Sequence, residues 1–299
     1  ITATCGVFGA ALAAGKVLGL NGNQFNNALG AASAQSSGLV ETLGFMAKSI
    51  GVGGAEGVVE LVPVQAQHDG PARPLEGPRG FLRVTGDDPD FGEVTGHLGT
   101  RWEVLRNIHK PYPGGVVLFP VIDACLQFLE DGIFDVDAIS RITIHGHPLL
   151  RQRADRPHVT TGREAQVSAQ HAVSAVLRSG KAGLAQFTDD AVADPGNLAF
   201  RKKIVMEDAD GIAVAGVRML IEAGDGATHE IVIDGARGTD ARPLTDAEIE
   251  TKFRTLAAEY APDCPRAPEL IDAVWSLDSS DDAGVLMKMA RPGEQTAPV

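Results

Sequence analysis

Lys110 opens the stretch KPYPGGVVLFPVIDA, in which Pro111, Pro113, Gly114 and Gly115 leave the backbone little freedom before an apolar helical pattern begins. Pro111 biases Lys110 toward extended backbone, because its ring crowds the preceding residue. Pro113 and the glycine pair then shape a tight turn into a helix starting near Val116. The amides of Gly114, Gly115 and Val116 would lie at a helix N-terminus, where anions bind favourably. A carboxylate could meet those amides and the Lys110 ammonium together. The plain alternative is a solvated lysine in a helix-entry loop, and the residue chemistry leaves both open.

A second lysine invites the same question. Lys48 lies in MAKSIGVGGAEG, ahead of Gly51, Gly53 and Gly54. If GVGG opens the next helix, Lys48 and Gly53 sit beside a second N-terminus. The spacing is not that of GxxxxGK[ST], so a nucleotide P-loop is rejected. His171 is placed mid-helix within EAQVSAQHAVSAVLRSG, with Val167, Ser174 and Arg178 at positions that share its face. Small neighbours leave room for a pocket, and an unperturbed imidazole titrates near neutral pH. That makes His171 an acid/base candidate, against the plainer reading of a structural helix histidine. Arg151, Arg153 and Arg156 form a basic patch before Pro157, either a carboxylate clamp or a solvated loop. His145 and His147 share one strand face with no third ligand in view, so no metal site is expected. Asp123, one turn into the helix after Val116, reads as a structural partner. Neither GxSxG nor GxGxxG occurs, so serine-hydrolase and dinucleotide readings lack support.

The elements that must position these residues follow from the hydrophobic pattern. Residues 7 to 66 read as packed helices, rich in Ala, Gly and Ser that allow close backbone approach, with Asn21 as a stop or cap. Residues 69 to 100 are turn-rich. The helix after Lys110 carries Val121, Cys125 and Phe128 at helical spacing and stops at Gly132. SRITIHGH alternates as a strand, KIVMED is a second strand, and VRMLIEAGDGATHEIVID reads as a hairpin around Gly-Asp-Gly. Thr245 and Glu248 fit a capping box opening DAEIETKFRTLAAEY. The expected order is a helical domain over 1–105, an α+β domain over 106–240 and a helical return over 241–299.

Composition narrows the partners. The 299 residues carry a net charge of −13, which disfavours nucleic-acid phosphates and anionic membrane surfaces. Three scattered cysteines, Cys5, Cys125 and Cys264, form no CxxC pair and suggest free thiols in a reducing cytoplasm. No apolar run is long enough to span a bilayer, and a cytoplasmic protein is expected.

Taken in order, TATCGVFGAALAAGKVLGL, ALGAASAQSSGL, MAKSIGVGGAEGV, KPYPGG…PVIDA, RPHVTTGREAQVSAQHAVSAVL and GLAQFTDDAVADP resemble the MmgE/PrpD family. That family includes 2-methylcitrate dehydratase, cis-aconitate decarboxylase and iminodisuccinate epimerase. The resemblance implies a large helical domain with a smaller α+β domain inserted, an active site between them, and a homodimer. It also implies active-site roles for Lys48 and Lys110, and places His171 where some members carry a tyrosine. Gly51 and Phe119 stand near positions where many members have histidine. The family's N-terminal helical segment finds no counterpart, so the chain is expected to be a C-terminal portion.

The chemistry so implied is a cofactor-independent lyase acting on a small di- or tricarboxylate, with dehydration of a 2-methylcitrate-like acid foremost. Proton removal beside a carboxylate builds negative charge, which fixed cations and helix-terminal amides stabilise. A base takes the proton and an acid assists the departing hydroxyl. Lys48, Lys110 and His171 would be catalytic; Arg156, Gly53, Gly114 and Gly115 would bind substrate. The alternatives are an isomerase or epimerase, a decarboxylase, or an inactive binding fragment.

Overall fold

The computed structural model describes residues 2–37, 72–262 and 266–290. The chain divides into two compact units, Ile1–Trp102 and Glu103–Val299. Lys48, Gly51 and Gly53 lie outside the described residues, as does the third helix expected after them.

In the first unit, α1 (Thr2–Val17) and α2 (Gly22–Ser37) pack side by side. The junction is a reciprocal cap: Gln24 N–H donates to Asn21 Oδ1 and Asn21 N–H donates to Gln24 Oε1, each at 3.0 Å. Phe8, Ala11, Ala28 and Ala32 close the interface, joined by Phe81 from the short helix α3 (Phe81–Thr85). A Cβ on Gly15 would meet the Phe25 ring at 2.7 Å, so the small residue is what lets the helices approach. Leu12, Val17 and Leu18 remain exposed. α4 (Phe91–Thr95) follows, capped by Asp90.

The second unit is built on a four-stranded sheet of order β2-β1-β3-β4. Its strands are β1 (Ile139–Gly146), β2 (Ile204–Asp208), β3 (Val217–Ala223) and β4 (Thr228–Ile233). β1 runs parallel to β2 and antiparallel to β3, so the link from β1 to β2 must be a long crossover. That crossover holds α6 (Pro148–Ala154), α7 (Gly162–Ala165), α8 (Ala169–Ser179), α9 (Asp189–Ala193) and α10 (Pro195–Arg201). The expected strands and the Gly-Asp-Gly hairpin are therefore present.

Register decides which face is core. Ile142 pairs with Ile204 and Ile221, and Ile144 with Met206 and Met219, so one face is continuously apolar. Against it lies α5 (Phe119–Asp131), which carries the buried Phe119, Ile122, Cys125 and Phe128. Pro120 sits in the first turn of α5, and Gly132 ends it in the left-handed conformation (φ 57°), donating to the Phe128 carbonyl. The opposite sheet face is more polar and carries the pairs Arg141–Glu222 and Arg218–Glu230. Such exposed pairs contribute little to stability.

One expected helix is split. A Thr161–Glu164 capping box opens α7, and Ser168 then accepts from His171 N–H to open α8 separately. Val167 falls in the turn between them and does not share a helix face with His171. After the sheet come α11 (Asp246–Tyr260), α12 (Ala267–Trp275) and α13 (Val285–Met289), the first opened by the expected Thr245–Glu248 box. No helix among the described residues is long and apolar enough to cross a membrane.

Candidate active site in the second unit

The Lys110 loop is fastened at both ends. His109 N–H donates to the Gly238 carbonyl at 3.0 Å, and Gly238 N–H donates to the Arg242 carbonyl at 2.7 Å. Gly238 has φ +86°, and an added Cβ would run into the His109 carbonyl. On the far side Tyr112 is buried, packs edge-on against Phe119 and donates its hydroxyl to Asp123 Oδ1 at 2.6 Å. Burial, then the Asp123 carboxylate, pushes the Tyr112 phenol well above its usual range. The other Asp123 oxygen accepts from Arg237 N–H at 2.7 Å and faces Arg242 Nη1 at 3.4 Å. Asp123 is thus the structural partner its position suggested: it ties the loop, the start of α5 and the segment after β4 into one corner.

The Gly114 and Gly115 amides are not available to an anion, which corrects the expected cradle. Gly114 N–H donates to the Tyr112 carbonyl at 3.0 Å and Gly115 N–H to the Gln166 carbonyl at 2.9 Å. The entry to α5 is a turn of 3-10 helix, Val116–Leu118. Gly114 serves close approach instead, since a Cβ there would lie 3.1 Å from the Gln166 carbonyl.

Lys110 itself lines a cavity of about 520 Å³, within the ~300–1,000 Å³ usual for small-molecule sites. Pro111, Pro113 and Leu184 form apolar walls, while α11 contributes Glu248, Lys252 and Leu256. Lys110 Nζ donates to the Gly114 carbonyl at 3.1 Å, and Lys252 Nζ donates to the Lys110 carbonyl at 2.7 Å. Neither ammonium has a carboxylate partner among the described residues. Arg237, also on the wall, is paired with Glu248. The Thr245 amide, then its hydroxyl, and further on Arg237 hold the Glu248 carboxyl below its usual range. Lys252 escaped the sequence reading: a lysine on a mixed-charge helix carries no local signal.

His171 is elsewhere and sealed. Its ring is fully buried, with Nε2 2.7 Å from the Gln186 carbonyl and Nδ1 2.8 Å from Arg201 Nη2. A carbonyl only accepts and a guanidinium only donates, so the ring is neutral with its proton on Nε2. Burial pushes the imidazole below its ordinary 6.5, and Arg201 adds to the fall against the Gln186 bond. Both nitrogens being engaged, this geometry gives His171 a packing role, correcting the acid/base assignment. Its face partner Ser174 donates to Asn197, and Arg178 pairs with Asp194 at 2.6 Å, so this face of α8 serves α10 and its entry.

Of the basic patch, Arg151 is already held by a two-pronged contact with Asp208 at 2.8 and 2.6 Å. Arg156 is exposed, its Nε on the Arg153 carbonyl at 3.2 Å, and it does not line the Lys110 cavity. Among the described residues no cluster of His, Cys, Asp or Glu has the grouping of a metal site.

Comparison with known proteins bears on the family of the chain. The chain is 27% identical over 317 residues to the cis-aconitate decarboxylase-like protein oryM of Aspergillus oryzae, and 25% identical over 329 residues to cis-aconitate decarboxylase of Aspergillus terreus. Each match covers 95% of this chain and 64% of the relative, so the chain spans just under two thirds of these curated relatives. Residues 1–94 match the MmgE/PrpD N-terminal domain and residues 112–277 match the MmgE/PrpD C-terminal domain. With these two matches following one another along the sequence, the chain belongs to the MmgE/PrpD family.

Proposed function

We propose that this protein is a cofactor-independent lyase acting on a small polycarboxylate. The observation that carries the reading is the Lys110 ammonium, which lines a cavity without a carboxylate to neutralise it. A substrate carboxylate supplies that missing charge. Pro111, Pro113 and Leu184 give the ligand an apolar flank beside that charge. Charge that develops beside the bound carboxylate is stabilised by the same fixed cation at little reorganisation cost. The family resemblance gives Lys48, which lies outside the described residues, a proposed role as a further cation or proton carrier of the reaction.

Two members of the lyase class compete. Dehydration removes an α-proton and a hydroxyl and keeps every carboxylate. Decarboxylation releases CO2 and leaves an electron pair that a proton must quench. The names of the Aspergillus relatives favour decarboxylation of a cis-aconitate-like acid; the dehydratases of the family keep a 2-methylcitrate-like acid as the second reading. Carbon-13 NMR of the products separates them, because only decarboxylation yields labelled CO2.

The deciding experiment is Lys110→Ala in the protein expressed from its complete reading frame. Loss of a charge-stabilising cation should lower kcat by about 10²–10³-fold. Unchanged turnover would remove Lys110 from the site and with it the proposal.

A further inference from the structure

We infer that Lys252, on α11, is a second carboxylate-binding group of the same cavity and makes the site selective for acids with more than one carboxylate. The inference rests on the reading of Lys110 as a substrate contact and extends it to a residue outside the family's motif blocks.

The charges on the cavity wall do not balance locally. Lys110, Arg237 and Lys252 face Glu248 and Glu259. Arg237 and Glu248 pair with each other, which leaves two ammonium groups and one glutamate. Glu259 accepts from the Tyr260 hydroxyl at 2.9 Å and is not paired with either lysine. In a chain of net charge −13, a cavity with an excess of cations is a local exception rather than a reflection of composition.

Each ammonium is also placed rather than adrift. A lysine ammonium offers three N–H donors. Lys110 uses one on the Gly114 carbonyl and Lys252 uses one on the Lys110 carbonyl. A carbonyl satisfies one donor and cancels no charge, so both groups keep donors and a full positive charge for a ligand. The hydroxyls of Thr251 and Thr255 donate back into α11, to the carbonyls of Ala247 and Thr251 at 2.7 and 2.8 Å. Among the described residues that line the cavity, the two lysines are the cations without a carboxylate partner. Two such groups lining one cavity suit an anion whose own charges are separated, as in a di- or tricarboxylate, better than a monocarboxylate.

Lys252 also fastens the Lys110 backbone, so a loss of activity alone would not show substrate contact. The test therefore measures binding and turnover separately in the protein from its complete reading frame. Tricarballylate, a tricarboxylate with no hydroxyl or alkene to react, and butyrate are titrated calorimetrically into wild type, Lys252→Met, Lys252→Arg and Lys110→Met. Wild type should prefer tricarballylate. Lys252→Met should weaken tricarballylate by about 10–100-fold, the usual range for a hydrogen bond to a charged group. It should leave butyrate within about threefold and raise KM more than it lowers kcat. Lys252→Arg should restore most of the affinity. Equal tricarballylate binding by wild type and Lys252→Met, while Lys110→Met loses it, would overturn the inference and leave the proposed function standing. A fall in kcat with unchanged affinity would make Lys252 a loop fastener and likewise overturn it. No effect of Lys110→Met on binding or turnover would sink the proposed function itself.

Discussion

Arg201 Nη2 donates to His171 Nδ1 across 2.8 Å, inside a pocket where no carboxylate among the described residues offsets the guanidinium. Arg201 is 4% exposed and is held by the carbonyls of Val159 and Val192, with its Nε unpartnered. A proton on Nδ1 would break the Arg201 bond and set two cations together. The folded chain therefore resists protonation of His171, whereas the unfolded chain takes up that proton near 6.5. Where the unfolded state binds more protons, stability rises with pH. Stability from this site is present above about pH 6.5 and is lost progressively as pH falls toward the depressed folded value. Urea midpoints measured from pH 8 to pH 5 should fall for the native sequence and flatten for His171→Gln. A parallel decline in both would show that His171 does not titrate against Arg201.

Tyr112→Phe should destabilise the second unit by about 1.5–3 kcal/mol, because the Asp123 carboxylate loses a hydrogen bond where it is buried. Asp123→Ala should cost more, since it also strands Arg237 N–H and the Tyr112 hydroxyl. Denaturant unfolding reads both. Equal effects would mean that Tyr112 alone carries the corner.

Gly238→Ala should impair activity by moving the Lys110 loop. Its φ of +86° disfavours a side chain, and the new Cβ would collide with the His109 carbonyl. Gly211→Ala is the control: it shares a positive φ, +79°, but meets nothing within 4 Å. Both should lose about 1 kcal/mol of stability or more from backbone strain. Only Gly238→Ala should also lower kcat/KM. Matching kinetics for the two would separate loop placement from catalysis.

Thr245→Ala removes the hydroxyl that accepts from Glu248 N–H at 3.3 Å and should cost about 1 kcal/mol. Fraying at the start of α11 should also loosen the wall that holds Glu248 and Lys252. Hydrogen exchange across the first turn of α11 should accelerate while the sheet stays protected. Uniform acceleration would mean that the cap supports the whole unit.

Many local signals in the sequence agree with the structure, although the Thr161–Glu164 box and the Ser168 cap that split one expected helix are just as local. The Thr245–Glu248 box, the Asn21 cap, the stop at Gly132 and the β3–β4 hairpin each depend on residues a few positions apart. The site was legible only in part. Lys110 announced itself through its prolines and glycines. The competitors for the Gly114 and Gly115 amides did not, because one of them, the Gln166 carbonyl, comes from the crossover. His171 looked available because its own helix is small-residued; Arg201, 30 residues on, closes it. Lys252 stayed invisible for the same reason, lying 142 positions from the carbonyl it binds. Hydrophobic period and capping chemistry report on neighbours along the chain, and tertiary hydrogen bonds do not obey that range.

The placement of α11 against the Lys110 loop bears on how such proteins can be recombined. The cavity draws on the loop before the first strand, on Leu184 in the crossover and on α11 after the last strand, so a segment exchange between relatives that cuts at the sheet's final turn would mate mismatched halves. Crossovers placed beyond Tyr260 keep both walls from one parent, and chimeras built that way should inherit the ligand preference of the parent that donates α11.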